Sequence, residues 1–169
     1  EFISGNVKDQ ISVLNAGEAD VAHPTQGLLD LLTIRQNKKT LDGLTVTIIG
    51  DIAHSRVARS ISAGLRIMGN NELRLVAPDG LSPDMDLYPG GSFGHDVDAA
   101  VKDADVIMAL RIKKERIKEK SSLITGHEYL QHFGLTEERI TLAKPDAIIM
   151  HPGPMNRDVE ITGAVADGP

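Results

Sequence analysis

The chain's 169 residues are the length of one domain, and 41% hydrophobic with 25% charged side chains is ordinary globular composition, which excludes disorder and fibrous repeats. Eighteen Lys and Arg against 24 Asp and Glu give a formal charge of -6, and aromatics are only 3%. That excludes a basic surface or stacking platform for nucleic acid. Without cysteine there is no disulfide, thiolate metal site or catalytic thiol, and no apolar run approaches the roughly 18 residues of a membrane span.

Glu1-Phe2-Ile3-Ser4-Gly5 has neither the basic start nor the apolar stretch of a signal peptide. The starting expectation is a cytoplasmic α/β domain with neither nucleic acid nor membrane as partner.

In chain order, Ser12–Asn15 is the weakest strand candidate. Pro24–Gln36 reads as a helix, and Leu44–Ile49, rich in β-branched residues, as a buried strand stopping at Gly50. A helix over Ser55–Met68 and a strand over Glu72–Val76 follow. Pro78–His95, with three prolines and four glycines, reads as a surface loop, either a connector or a lid. Next come a helix at Asp96–Lys102, a strand at Ala104–Leu110, the charge run Lys113–Lys120, short helices between Lys114 and Lys144, and a strand at Asp146–Met150. Strands alternating with helices imply a doubly wound, Rossmann-like parallel sheet with helices on both faces, in a single domain.

Ligands of such sheets bind outside the carboxyl ends of the strands. His23-Pro24-Thr25-Gln26 places His23 at an N-cap and Gln26 at the third helical position, around the free N–H groups of a helix start. An anion site and a plain capping box both fit. Gly50-Asp51-Ile52-Ala53-His54-Ser55-Arg56 keeps only the first glycine of a dinucleotide motif, so no nucleotide cofactor is expected. With Ser55 as N-cap, Arg56 opposes the helix dipole at a cost of about 0.3–1 kcal/mol, which marks it as a carboxylate or phosphate clamp. Arg59 reads as a surface residue or a salt-bridge partner. Arg111, just past a strand, is a second clamp or a solvated strand end. In His151-Pro152-Gly153-Pro154-Met155-Asn156-Arg157 two prolines remove N–H donors. They leave carbonyls suited to an amide NH2, unless the turn is merely rigid. Two arginines suit a dicarboxylate. Without a nucleophile–base pair or metal-ligand cluster, the chemistry implied is transfer by positioning and polarisation.

Those three motifs, together with Leu110-Arg111 followed by Lys114-Glu115-Arg116, occur in the order found in one family. From Val13-Leu14-Asn15-Ala16-Gly17 to Ala166-Asp167-Gly168-Pro169 the chain resembles the second, L-aspartate-binding half of the aspartate carbamoyltransferases of pyrimidine synthesis. The resemblance implies carbamoyl transfer from carbamoyl phosphate to L-aspartate, without cofactor or metal. It makes His23 the catalytic group that polarises the carbamoyl oxygen. Gln26 and the backbone of Gly153 and Pro154 hold the carbamoyl NH2, while Arg56 and Arg111 bind the aspartate carboxylates. Lys113 stands where the family usually has glutamine, and it is a further candidate for aspartate. The resemblance also implies a homotrimer of full-length chains, with regulatory or dihydroorotase-type subunits as further partners. The family's Ser-Thr-Arg-Thr phosphate loop, a Ser/Lys loop lent by a neighbouring subunit and a final helix are not among these residues, so the chain is expected to be an inactive piece. A transcarbamoylase for ornithine and a non-catalytic assembly or regulatory relative are the competing readings. Ornithine carries one carboxylate and a cation, which fits two arginines poorly.

Overall fold

The computed structural model describes residues 4–8, 10–18, 21–112 and 126–168. Lys113 and the charge run to Lys120 lie outside the described residues.

Helix α1 spans Pro24–Lys38, with proline in its first turn and left-handed Lys39 closing it. Strand β1 (Thr45–Ile49) leads to α2 (Arg56–Met68), where the Ser55 hydroxyl accepts from Ala58 N–H at 3.0 Å. Next are β2 (Glu72–Val76), β3 (Ser92–Gly94), α3 (Val97–Val101) capped by Asp96, and β4 (Val106–Ala109). The described chain ends with α4 (Gly126–Phe133), α5 (Glu137–Ile140), β5 (Ile148–Met150) and α6 (Gly163–Ala166).

All four strand pairings are parallel, in the order β3-β2-β1-β4-β5. Strand alternation splits the core in two. Val46, Ile48, Val106 and Met108 pack with Leu31 and Ile34 of α1 and Ile61 and Leu65 of α2. Ile49, Ile107 and Ala109 point the other way, with Val97 and Val101 of α3 and, beyond β5, Val165 and Ala166 of α6. Helices therefore cover both faces, as the alternation predicts.

The helix pair that frames the site shows how spacing becomes packing. Gly27, Asp30, Leu31 and Ile34 are the buried stripe of α1, and Ala58, Ile61, Ser62 and Leu65 that of α2. A Cβ on Gly27 would stand 3.0 Å from the Ser60 Cβ, so glycine permits the close crossing.

Two expectations need correction. Ser12–Asn15 is not a strand: its residues are exposed, Leu14 at 86%, and the five-stranded sheet is completed without it. The fifth strand is instead Ser92–Gly94, inside the stretch read as loop, pairing with Arg74–Val76 at the sheet edge.

Candidate functional site

From β1 the chain steps to β2 on one side, while β4 and β5 lie on the other. The gap between the carboxyl ends of β1 and β4 is thus the topological switch point, where such sheets open a crevice. At its floor the two strand exits touch. Gly50 has φ +132°, and a Cβ there would lie 2.9 Å from the Leu110 carbonyl oxygen. Arg56 follows β1 and Arg111 follows β4, so the switch point has an arginine on each side.

The β1 exit is held by its own polar groups. Buried Asp51 lies 2.7 Å from His54 Nδ1 and accepts from the His54 N–H at 3.3 Å. Arg59, read from sequence as a surface residue or a salt-bridge partner, is half-buried and donates to the Ala53 carbonyl at 2.9 Å, fixing the turn before α2. Tyr88 donates to the Ile52 carbonyl, and burial pushes its phenol up to about 12. On this framed turn Arg56 is half-buried, and a Cβ on Gly17 would stand 3.1 Å from its Nη1.

His23 occupies the N-cap of α1, but its ring makes no cap hydrogen bond. Its main-chain N–H donates to Ser60 Oγ at 2.9 Å, tying the start of α1 to α2, and Nδ1 lies 3.3 Å from Thr25 Oγ1. Gln26 is not a capping-box partner either. Its Nε2 donates to Asp30 Oδ1 at 2.9 Å, one turn on, which leaves the amide oxygen as its acceptor. Burial pushes the Asp30 carboxyl up to about 6, against the opposing pull of the Gln26 amide.

Arg111 is exposed and, among the described residues, has no carboxylate partner. Beyond β5, the His151–Arg157 loop is cross-braced. Gly153 N–H donates to His151 Nδ1 at 2.8 Å, and Asn156 Nδ2 donates to the Ile112 carbonyl at 2.9 Å. The rigid loop is thereby tied to the exit that carries Arg111. Among the described residues, no group of three His, Asp or Glu is placed to hold a metal ion, and no helix is long and apolar enough to cross a membrane.

The family described as aspartate/ornithine carbamoyltransferase, Asp/Orn binding domain, matches residues 42–169. The chain belongs to this family. It is 50% identical over 165 residues to the aspartate carbamoyltransferase catalytic subunit of Ruthia magnifica subsp. Calyptogena magnifica, covering 96% of this chain and 50% of that protein. Among solved structures it resembles Trypanosoma cruzi aspartate transcarbamoylase in complex with carbamoyl phosphate, with TM-score 0.79 and 31% identity over 95% of this chain and 53% of that one. Thermus thermophilus ornithine carbamoyltransferase aligns with the same TM-score, 27% identity, and 95% and 52% coverage. The chain spans about half the length of the relatives it matches.

The sequence points to His23, Gln26, Arg56 and Arg111 at helix starts and strand exits, but not to the polar residues that brace these segments. Asp30 was detectable as the acid four residues beyond Gln26 on one helix face. Asp51 was named only as part of its motif. Glu160, which is 2% exposed and accepts from Asn156, carried no local signal, because only the fold returns it beneath His151.

Proposed function

We propose that this chain is the L-aspartate-binding domain of an aspartate carbamoyltransferase, acting with a carbamoyl-phosphate domain supplied outside residues 1–169. The observation that carries the reading is the pair of arginines flanking the switch point, Arg56 after β1 and Arg111 after β4. A planar guanidinium matches a carboxylate bidentately, and two of them suit an amino acid with two carboxylates. The 50% identity to an aspartate enzyme favours the same substrate.

In this reading His23 polarises the carbamoyl oxygen at the positive end of α1. Gln26, oriented by Asp30, accepts from the carbamoyl NH2 through its amide oxygen, as do the main-chain carbonyls of the Gly153–Pro154 turn. With its carboxylates held by Arg56 and Arg111, the aspartate amine attacks the carbamoyl carbon. A C–N bond forms, the tetrahedral intermediate collapses with loss of the amine proton, and the C–O bond to phosphate breaks. Holding both reactants in one geometry accounts for the catalysis without a covalent enzyme intermediate. We assign the complete protein to the cytoplasm as a homotrimer within pyrimidine synthesis.

The test is product analysis with the full-length protein and carbamoyl phosphate. N-carbamoyl-L-aspartate is expected; carbamoylation of ornithine in its place would overturn the assignment.

A further inference from the structure

The Glu160 side chain is 1% exposed, yet three donors converge on it. Oε1 accepts the Asn156 main-chain N–H and lies 3.2 Å from His151 Nε2, and Oε2 accepts from Asn156 Nδ2 at 3.2 Å. The direction of these bonds follows from one group. Gly153 N–H can only donate, so His151 Nδ1, 2.8 Å away, carries no proton. The ring hydrogen of the neutral imidazole then sits on Nε2, facing the Glu160 carboxylate.

This ordering matters because of the two prolines. Pro152 and Pro154 have no N–H, so the Gly153 N–H is the sole main-chain donor across the turn. One tautomer of one histidine therefore anchors the segment whose carbonyls face the carbamoyl group in the reading above. The second arm runs elsewhere. Asn156 Nδ2, held by Glu160 Oε2, also donates to the Ile112 carbonyl at 2.9 Å, one residue beyond Arg111.

We propose that Glu160 is a positioning residue that sets the Pro152–Pro154 turn through His151 and the Arg111 exit through Asn156, fixing the carbamoyl-accepting carbonyls relative to the amino-acid clamp. The inference rests on the proposed carbamoyl transfer. A carboxylate is required because every group facing it is a donor. An amide would turn its NH2 toward at least one of them, and switching the His151 tautomer to compensate would set Nδ1–H against the Gly153 N–H.

The experiment uses the full-length enzyme with Glu160→Gln and Asn156→Ala, measuring kcat, both Michaelis constants, melting temperature and the histidine 15N spectrum. Glu160→Gln should lower kcat/KM for both substrates by roughly 10- to 100-fold, the scale of a small misplacement of reacting groups. Asn156→Ala should raise the aspartate constant more than the carbamoyl phosphate constant, since it cuts the arm to Ile112 and spares the His151–Gly153 bond. In the wild type the spectrum should show a protonated Nε2 and a bare Nδ1 for His151, and Glu160→Gln should disturb that tautomer. A merely structural role would lower the melting temperature and leave the constants of the folded enzyme within about twofold of wild type. That result, or an undisturbed tautomer in Glu160→Gln, overturns the inference. Should Glu160→Gln fail to fold, the split between the two constants in Asn156→Ala decides. A wild type unable to carbamoylate aspartate sinks the functional reading instead, and the tautomer in Glu160→Gln still decides whether the brace exists.

Discussion

The two edges of the sheet treat charge by opposite rules. At the amino edge Asp105, just before β4, accepts from Thr45 N–H at 2.9 Å and Lys144 Nζ at 2.7 Å, with Lys38 Nζ 3.6 Å away. Lys38 continues to Asp146, and Arg74 is shared between Glu72 and the carbonyls of Ala100 and Lys102. At the carboxyl edge Arg111 is exposed with no described carboxylate, and Arg56 stands where the α2 dipole opposes it. Two buried aspartates show the same division. Burial pushes Asp105 up, but Lys144, the Thr45 N–H and Lys38 outweigh it and hold the carboxyl below its ordinary value. Burial pushes Asp30 up to about 6 with only the Gln26 amide against it, and among the described residues Asp30 Oδ2 has no hydrogen-bond partner. Charges that hold the fold are satisfied within it, whereas Arg111 at the crevice is exposed to a ligand.

The largest effect that would break this comparison lies at Arg111. In the full-length enzyme Arg111→Ala should cost on the order of 2–5 kcal/mol in transition-state binding, through aspartate rather than carbamoyl phosphate. Steady-state kinetics against each substrate check it, and an unchanged aspartate dependence would return Arg111 to a solvated strand end. The amino edge should respond in the opposite way. Asp105→Ala strands the Thr45 N–H and two lysines and should cost about 1–3 kcal/mol in unfolding free energy, with both Michaelis constants intact. Its pH dependence has a definite sign. A carboxyl held below its ordinary value adds stability that is present above the ordinary carboxylate range and is lost as pH falls through its folded value. Denaturant titrations of wild type and Asp105→Ala should therefore converge in acid.

Asp30 carries the reverse sign. Its folded value near 6 exceeds the ordinary 3.8, so the folded state retains a proton that the unfolded state has lost, and stability falls as pH rises between them. Asp30→Asn keeps an acceptor for Gln26 and removes that fall. It should stabilise the protein by about 1–2 kcal/mol at pH 8 and by almost nothing at pH 4, read from urea midpoints. Equal gains at both pH values would show that the buried carboxyl is not the cause.

How much was legible follows the same line between local and returned structure. Pro24, Ser55 and Asp96 announced three helix starts through chemistry confined to one turn, and the β-branched run at Leu44–Ile49 announced the central strand. Ser92–Gly94 became a strand only because β2 offered an open edge, which no periodicity within a glycine-rich loop could reveal. Val13 and Leu14 form a short apolar pair that reads as a strand, but among the described residues the sheet is completed without them and both are exposed. Among the candidate residues, the positions of His23, Gln26, Arg56 and Arg111 at helix starts and strand exits were readable because those are local features. The Asn156–Ile112 bond was not, since it joins segments brought together by the β4–β5 pairing, and neither was Glu160, whose bonds to His151 and Asn156 depend on how an irregular loop folds back on itself.

The smallest effect sharpens the comparison at its margin. Lys113→Gln in the full-length enzyme should flatten the salt dependence of the aspartate Michaelis constant and spare turnover, because one screened attraction is removed while a hydrogen-bond donor remains. Parallel salt curves would place Lys113 outside the site.

The central claim is that the two arginines at the switch point grip the two carboxylates of one amino acid. It is tested most directly by comparing kcat/KM for L-aspartate and L-asparagine in wild type, Arg56→Ala and Arg111→Ala full-length enzyme. Asparagine lacks only the side-chain charge. The account predicts strong preference for aspartate in the wild type, and collapse of that preference in the variant lacking the arginine that meets the side-chain carboxylate. Preference undiminished in both variants would contradict it.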